Sequence, residues 1–175
     1  VGLWVTQPHN TRLEAGRRTA WMATTILWIT LGRAQLLGAT DGDGSLTLHF
    51  LDVGQGDAAA IRTPAGHWIL VDAGPAGEGT DAGRRVVAPF LERHGARSLT
   101  LAVVSHAHAD HLGGLPSVMS RIRTGLVLEP GADVVDPRYT GFLQRLPRDR
   151  VPWHPARSGE KFAIDGVQFT VLHPT

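Results

Sequence analysis

From Leu46 onward, apolar and polar positions alternate. Leu46, Leu48 and Phe50 stand against Thr47 and His49, the period of a half-buried strand. A second strand is predicted over Ala58–Thr63. Pro64-Ala65-Gly66-His67 is a turn that feeds a third strand at Trp68–Val71, so the domain opens as an antiparallel meander. The period then changes. Asp81 is placed to cap a helix whose apolar face is Val86, Val87, Phe90 and Leu91, and Gly95 ends it. Pro89 kinks that helix unless the helix begins there. Leu99–Val104 is an apolar strand. A helix with Val118, Met119 and Ile122 on one face follows near Pro116, and Leu126–Leu128 is a short strand. Pro137–Leu146 is a helix carrying Phe142 and Leu146, and Phe162–Phe169 is a hairpin turning at Asp165-Gly166. Strands that pair first and then alternate with helices define a layered α/β fold.

The pattern breaks near Ala39. Thr19–Gly32 is uncharged and fairly apolar, Arg33 and Gln35 interrupt it, and Leu36–Ala39 resumes it. The uncharged core is short for a full membrane span and fits a signal-like hydrophobic region better. If Arg33 snorkels, the stretch 19–39 is long enough to cross a bilayer. Arg12, Arg17 and Arg18 precede it, which orients its N-terminal side to the cytoplasm and the rest of the chain outside. The expectation is therefore a hydrophobic segment and linker over 1–45, helical over 19–39 and standing clear of a domain at 46–175. That domain would sit on the membrane, extracytoplasmically, or be secreted or periplasmic after cleavage. A buried or amphipathic helix is the rival reading.

Composition narrows the chemistry. The chain has no cysteine, which excludes disulfides and thiolate-held zinc. Its net charge of +1 gives no strong field to recruit nucleic acid. Arg138, Arg145, Arg148, Arg150 and Arg157 are interleaved with Asp136, Asp149 and Glu160, which reads as a solvated mixed-charge surface more readily than as a backbone-binding patch.

Candidate chemistry concentrates in His106-Ala107-His108-Ala109-Asp110-His111, directly after the apolar Leu101–Val104. Three imidazoles and a carboxylate within six residues, delivered by a strand end, form a nitrogen and oxygen donor set suited to zinc, and also to manganese or iron. Four donors exceed what one open catalytic ion needs, so two divalent ions are the natural reading. Gly113 and Gly114 are expected to allow backbone conformations that other residues resist. Asp72 leaves the apolar run Ile69–Val71, and a carboxylate there needs a partner, whether as a turn cap or at the site. Asp57 stands in Gly54-Gln55-Gly56-Asp57, which is also simply a good turn.

The hexad matches the HxHxDH motif of the metallo-β-lactamase superfamily. With Phe50–Ala58, which contains Asp52-Val53-Gly54-Gln55-Gly56-Asp57, and with Ile69–Gly74, the chain resembles the ComEC-type branch, over about Leu46 to Thr175. The resemblance implies a four-layer αββα sandwich, of which this chain covers the N-terminal half to two-thirds. It implies that His106 and His108 bind a first metal, and that Asp110 and His111 serve a second, with Asp110 also handling the proton of the attacking water. Asp72 would orient a ligand loop by hydrogen bonds. Asp57, Gln55, Gly54 and Gly56 would line the site. Family members carry a further histidine, a bridging aspartate and a later histidine beyond the segment matched here. His173 is the residue available as an extra ligand, although its position at a predicted strand end reads first as a cap.

The function expected is a metal-dependent hydrolase, a nuclease or phosphodiesterase acting on DNA in uptake for competence, with the substrate class implied by the resemblance alone. Two alternatives stand beside it. One is an exported hydrolase of lactones, thioesters or β-lactams. The other is an inactive chain whose half-site holds metal poorly.

Overall fold

The computed structural model describes residues 28–29, 31–32, 42–77, 79–131 and 136–173. Its core is a seven-stranded sheet. Strands β1 (Thr47–Phe50), β2 (Ala59–Arg62) and β3 (Trp68–Val71) form the antiparallel meander, with Leu48 opposite Ile61 and Ile61 opposite Ile69. A small hairpin, β4 (Ala76–Gly77) with β5 (Thr80–Asp81), follows at the end of β3. A π-helical turn, Gly83–Val87, runs into α1 (Ala88–Arg93), and β6 (Ser98–Val103) then lies parallel to β3. After β6 come two short helices, α2 (Ala109–Leu112) and α3 (Leu115–Met119). Strands β7 (Arg123–Thr124) and β8 (Val127–Glu129) both pair parallel with β6. Helix α4 (Pro137–Arg148) returns the chain to β9 (Trp153–Pro155), parallel to β8, and β10 (Lys161–Ile164) with β11 (Val167–Thr170) closes the described chain.

Two apolar clusters sit on opposite faces of this sheet. On one face Trp68, Leu70, Leu99 and Val127 meet Val87 and Leu91 before and in α1, Leu115 and Val118 of α3, and Phe142 and Leu146 of α4. On the other, Ile69, Leu101, Leu126 and Leu128 are covered by Phe162 and Ile164 of the β10–β11 hairpin. The order is helices, main sheet, second β layer: the α/β architecture expected, with three of the four sandwich layers represented among the described residues. Strand β3 is apolar at every position because neighbours cover both of its faces, as in the centre of a parallel sheet. Leu46, Leu48 and Phe50 project from the meander on the hairpin's side of the sheet but beyond its reach, and all three are exposed.

Local chemistry explains the boundaries. The Asp136 carboxylate accepts from the Arg138 and Tyr139 amides and starts α4, with Pro137 in its first turn. The Asp81 side chain accepts from the Arg84 amide at the head of the π turn, and Pro89 follows where that turn, closed by the Ala88 amide donating to the Gly83 carbonyl, passes into α1. Asp165 and Gly166 both take positive φ, 53° and 78°, the requirement of a type I′ hairpin. Two expectations are corrected. Gly113 has φ −54° and Gly114 φ −77°, ordinary helical values, so neither supplies an unusual backbone conformation. They are small because the backbone is crowded: a Cβ on Gly114 would lie 2.2 Å from the Ala73 carbonyl oxygen, and one on Gly113 would lie 2.4 Å from the Ala76 nitrogen. The stretch 19–39 lies mostly outside the described residues. Trp28, Ile29, Leu31 and Gly32 are helical, but Leu31 is 1% exposed and packs in the second cluster with Ile69 and Leu101. At Leu31 the stretch therefore touches the domain instead of standing clear of it. Trp28 and Ile29 are exposed. Among the described residues no helix is long and apolar enough to cross a membrane.

Candidate metal centre

Parallel strands β3 and β6 end side by side, and their exits place Asp72 next to Ser105–His111. The Asp72 amide donates to the Val103 carbonyl (2.9 Å), and the Ala73 amide donates to the His111 carbonyl (2.8 Å), so the loop carrying the histidines is tied to the loop after β3 by backbone alone. Asp72 is 3% exposed and has φ 57°, a left-handed conformation that aspartate tolerates better than most residues. Its Oδ1 accepts from the Ser105 amide (2.8 Å). Its Oδ2 accepts from the Ser105 hydroxyl (2.5 Å) and faces His111 Nδ1 (2.9 Å).

The imidazoles bunch beyond this anchor. The rings of His106 and His111 have centroids 3.8 Å apart, and His108 lies edge-on to His106 at 4.8 Å. Asp72 Oδ2 holds the His111 ring at Nδ1 (2.9 Å), and Asp110 Oδ2 stands 3.9 Å from Nε2, beyond hydrogen-bond reach. Among the described residues Asp72, His106 and His111 form the one group of three whose donor atoms all lie within 4.8 Å of one another. Within it Asp72 is the least suited to ligation, because both of its oxygens already receive protein hydrogen bonds. The histidines and Asp110 hold the available donors. Their chemistry, imidazole nitrogens and a partly exposed carboxylate, fits a divalent cation.

The other sequence candidates are placed as follows. The Gly54–Asp57 turn is held at the site's edge by the Gly74 amide donating to the Asp57 carbonyl (2.9 Å). Gly56 has φ 112°, and a Cβ there would lie 2.0 Å from the Asp110 carbonyl oxygen, so only glycine lets this turn press on the Asp110 backbone. The Asp57 carboxylate is 79% exposed and 3.7 Å from His111 Nδ1, too long for a hydrogen bond. Gln55 and Gly54 are exposed, and Gly54 only donates its amide to Asp52 (3.2 Å). His173 is exposed and stands apart from the grouped donors. It lines a 220 Å³ cavity with Ser105, Leu128 and Phe162, between the hairpin and the main sheet.

Sequence reasoning missed Ser105, whose hydroxyl joins Asp72 to His106 Nδ1 (2.9 Å). Its position between the strand and the hexad was the available signal. It also missed that His67 and His154 are buried hydrogen-bond partners of Asp165 (2.7 Å) and Glu160 (3.1 Å). A larger cavity of 470 Å³ lies between α3 and α4, rimmed by Arg123, Arg145 and Arg150 and floored by Met119, Phe142 and Leu146. It opens where β7 and β9 begin, so the histidine cluster is not part of it.

The family follows from a direct comparison. A beta-lactamase superfamily domain model matches residues 67–174, more than half of the chain, and the chain belongs to that superfamily. It is similar to ComE operon protein 3 of Bacillus subtilis, 26% identical over 140 residues, which cover 71% of this chain and 18% of that protein. It is also similar to the hydroxyacylglutathione hydrolase of Xylella fastidiosa, 30% identical over 114 residues, 65% of this chain and 34% of that one. Among solved structures a metallo-beta-lactamase from Cronobacter sakazakii aligns with a TM-score of 0.47 at 21% identity, over 71% of this chain and 49% of that one. The chain thus spans about a fifth to a third of the length of these two curated relatives. Hydrolase chemistry is what this membership and the hydrolase relative support in general.

Proposed function

We propose that this domain is a metal-dependent hydrolase of phosphodiesters, with DNA as its substrate class and DNA uptake as its setting. The single observation that supports the metal-dependent part is the grouping of His106 and His111 with Asp72 at the end of β6, with the His108 ring 4.8 Å from that of His106 and Asp110 3.9 Å from His111. The substrate class is supported by the similarity to ComE operon protein 3 and by the ComEC-type motifs. His106 and His108 would hold one divalent ion, and Asp110 and His111 a second, with zinc preferred and manganese or iron as alternatives. Bound there, the ions would supply Lewis acidity toward a phosphoryl oxygen and a lowered pKa for the attacking water. The chain's own residues do the rest. Asp72 orients His111 through Nδ1. Asp110 offers a carboxylate oxygen beside His111 Nε2 to take up the water's proton. The Gly54–Gly56 turn keeps bulk away from that side. Membrane attachment through residues 19–39, with the domain outside the cytoplasm, is a separate proposal supported by the apolar run of the sequence, and Leu31 within that run packs against the domain's sheet.

The similarity to hydroxyacylglutathione hydrolase favours a second reading, a thioester hydrolase using the same cluster. One experiment separates the two. The purified chain, and a version extended through the domain length of its relatives, are loaded with zinc or manganese and assayed on single- and double-stranded DNA, a small phosphodiester and a thioester. Only two donors serve each ion here, whereas a catalytic zinc normally has about three protein ligands. We therefore expect residues 1–175 to bind metal weakly and turn over slowly. The extended version should hydrolyse DNA, and His108→Ala should abolish that activity. Thioester hydrolysis without phosphodiester hydrolysis would replace the first reading by the second. Full metal occupancy and nuclease activity from residues 1–175 would refute the two-donor argument.

A further inference from the structure

We infer that the 470 Å³ cavity between α3 and α4 is a second binding site, for a small phosphomonoester on a flat apolar body, of which a mononucleotide is the chemical type. The inference does not depend on the metal reading. The cavity opens at the edge of the sheet where the parallel strands begin, and the length of β6, about 17 Å, separates that edge from the histidines. Its volume falls in the range of small-ligand clefts, about 300–1,000 Å³. Phe142 and Leu146 are buried beneath it and Met119 is half-buried, so the floor is apolar and a soft thioether side chain is open to a ring. The rim carries the guanidiniums of Arg123, Arg145 and Arg150. Arg145 shares its charge with Asp149, 3.6 Å away. Arg123 and Arg150 have no acidic partner among the described residues.

Arg150 stands where the backbone favours a different residue. Helix α4 ends in a Schellman motif: the Val151 amide donates to the Leu146 carbonyl (2.8 Å), and the Arg150 amide donates to the Pro147 carbonyl (3.2 Å). Arg150 is the residue just past the cap and has φ 56°, the left-handed conformation in which glycine is usual and a side chain is strained. Glycine would suit the turn better, but it would take a guanidinium from the rim. Strain kept at a residue whose side chain lines a cavity points to a ligand for that side chain. The charges agree. The C-terminal end of α4 contributes about half a negative charge, and Asp149 one more. Three guanidiniums outweigh both, so the mouth selects an anion. Guanidinium forks pair with oxygens two at a time, and those of Arg123 and Arg150 suit the terminal oxygens of a phosphate better than the two of a carboxylate.

The test titrates the ¹⁵N-labelled chain, kept in chelator without added metal, with AMP as the probe and with adenosine and inorganic phosphate as its two halves. Amide spectra locate the ligand and calorimetry gives its affinity. AMP should shift the Met119, Thr124 and Val151 amides and leave those of His106–His111 unmoved. Adenosine and inorganic phosphate should each bind at least about 10-fold more weakly than AMP. Arg123→Ala should lower AMP affinity by about 10-fold or more, the worth of a hydrogen bond to a charged group. Arg150→Gly should lower it as much, yet unfold no earlier than wild type on heating, because glycine relieves the left-handed strain. An arginine that serves only the fold would do the opposite, leaving AMP binding unchanged and lowering stability when removed. Unchanged AMP affinity in both variants, or shifts confined to the histidine loop, would overturn the site. Inorganic phosphate binding as tightly as AMP would overturn the apolar half of the ligand. A 5′-phosphorylated DNA strand that binds these residues more tightly than AMP would overturn the small ligand in favour of a strand end.

Discussion

Strand β3 carries the same trio of groups at each end, and the two ends do different things. At its exit, Asp72 takes hydrogen bonds from a hydroxyl, Ser105, and an imidazole, His111, on one oxygen. At its entry, Asp165 does the same with Thr63 and with His67 Nδ1 at 2.7 Å. Both aspartates have positive φ, 57° and 53°. The surroundings differ. Thr63 is 0% and His67 7% exposed, and their partner is the tip of the β10–β11 hairpin, so this trio pins the second β layer to the first. At the exit the far nitrogen of His111 faces Asp110 at 3.9 Å and two more imidazoles crowd in, although the His111 side chain is nearly as buried as that of His67. A histidine–aspartate pair is therefore no evidence of a site by itself. What the other face of the ring meets decides.

The comparison breaks most easily at the histidines. His111→Ala should weaken zinc binding by at least about 100-fold, since even outer partners are worth about 10–100-fold. His67→Ala should leave zinc affinity unchanged and instead cost about 2–4 kcal/mol of stability, because it strands the Asp165 carboxylate in a nearly closed site. Calorimetric zinc titration and urea unfolding of both variants test this. A zinc defect in His67→Ala would erase the distinction.

Acid sharpens the same contrast. Burial alone would raise the Asp165 pKa, but the hydrogen bonds from Thr63 and His67 outweigh it and hold the carboxyl below its usual value. A depressed folded-state pKa contributes stability that is fully present above the unfolded value of about 4 and is lost as pH falls through the folded one. Wild type should thus lose stability over that acid window faster than Asp165→Asn. Parallel pH dependence of the two unfolding midpoints would exclude the lock.

Smaller effects test the turn against the cluster. Gly56→Ala should destabilise by about 1–3 kcal/mol and weaken zinc binding, because the new methyl must displace the Asp110 backbone. Gly54→Ala meets open space and carries only the strain of φ 77°, about 1–2 kcal/mol, with zinc affinity intact. Asp57→Asn should change stability by no more than about 0.5 kcal/mol and leave metal binding as it was, because the carboxylate is largely in solvent. A zinc defect in Asp57→Asn would return it to the site.

What the sequence determined by itself was everything written in local periods and local caps. The meander, the apolar strand that delivers the hexad, the Asp165-Gly166 turn and the Asp81 cap are set by neighbours within a few residues, so alternation and turn chemistry reveal them. The donor set His106, His108, Asp110 and His111 was legible for the same reason: it is contiguous. Strands β7 and β9 were not, because they are two and three residues long and exist through pairing with β6 and β8, not through any period of their own. Tertiary structure alone decided which aspartate serves which histidine. The pairs His111–Asp72 and His67–Asp165 span 39 and 98 residues, and no local pattern encodes contacts that only the parallel register of β3 with β6 and the docking of a hairpin bring within hydrogen-bond reach. It also decided that Leu31 turns inward, since an apolar residue goes to whatever uncovered apolar surface the fold leaves beside it.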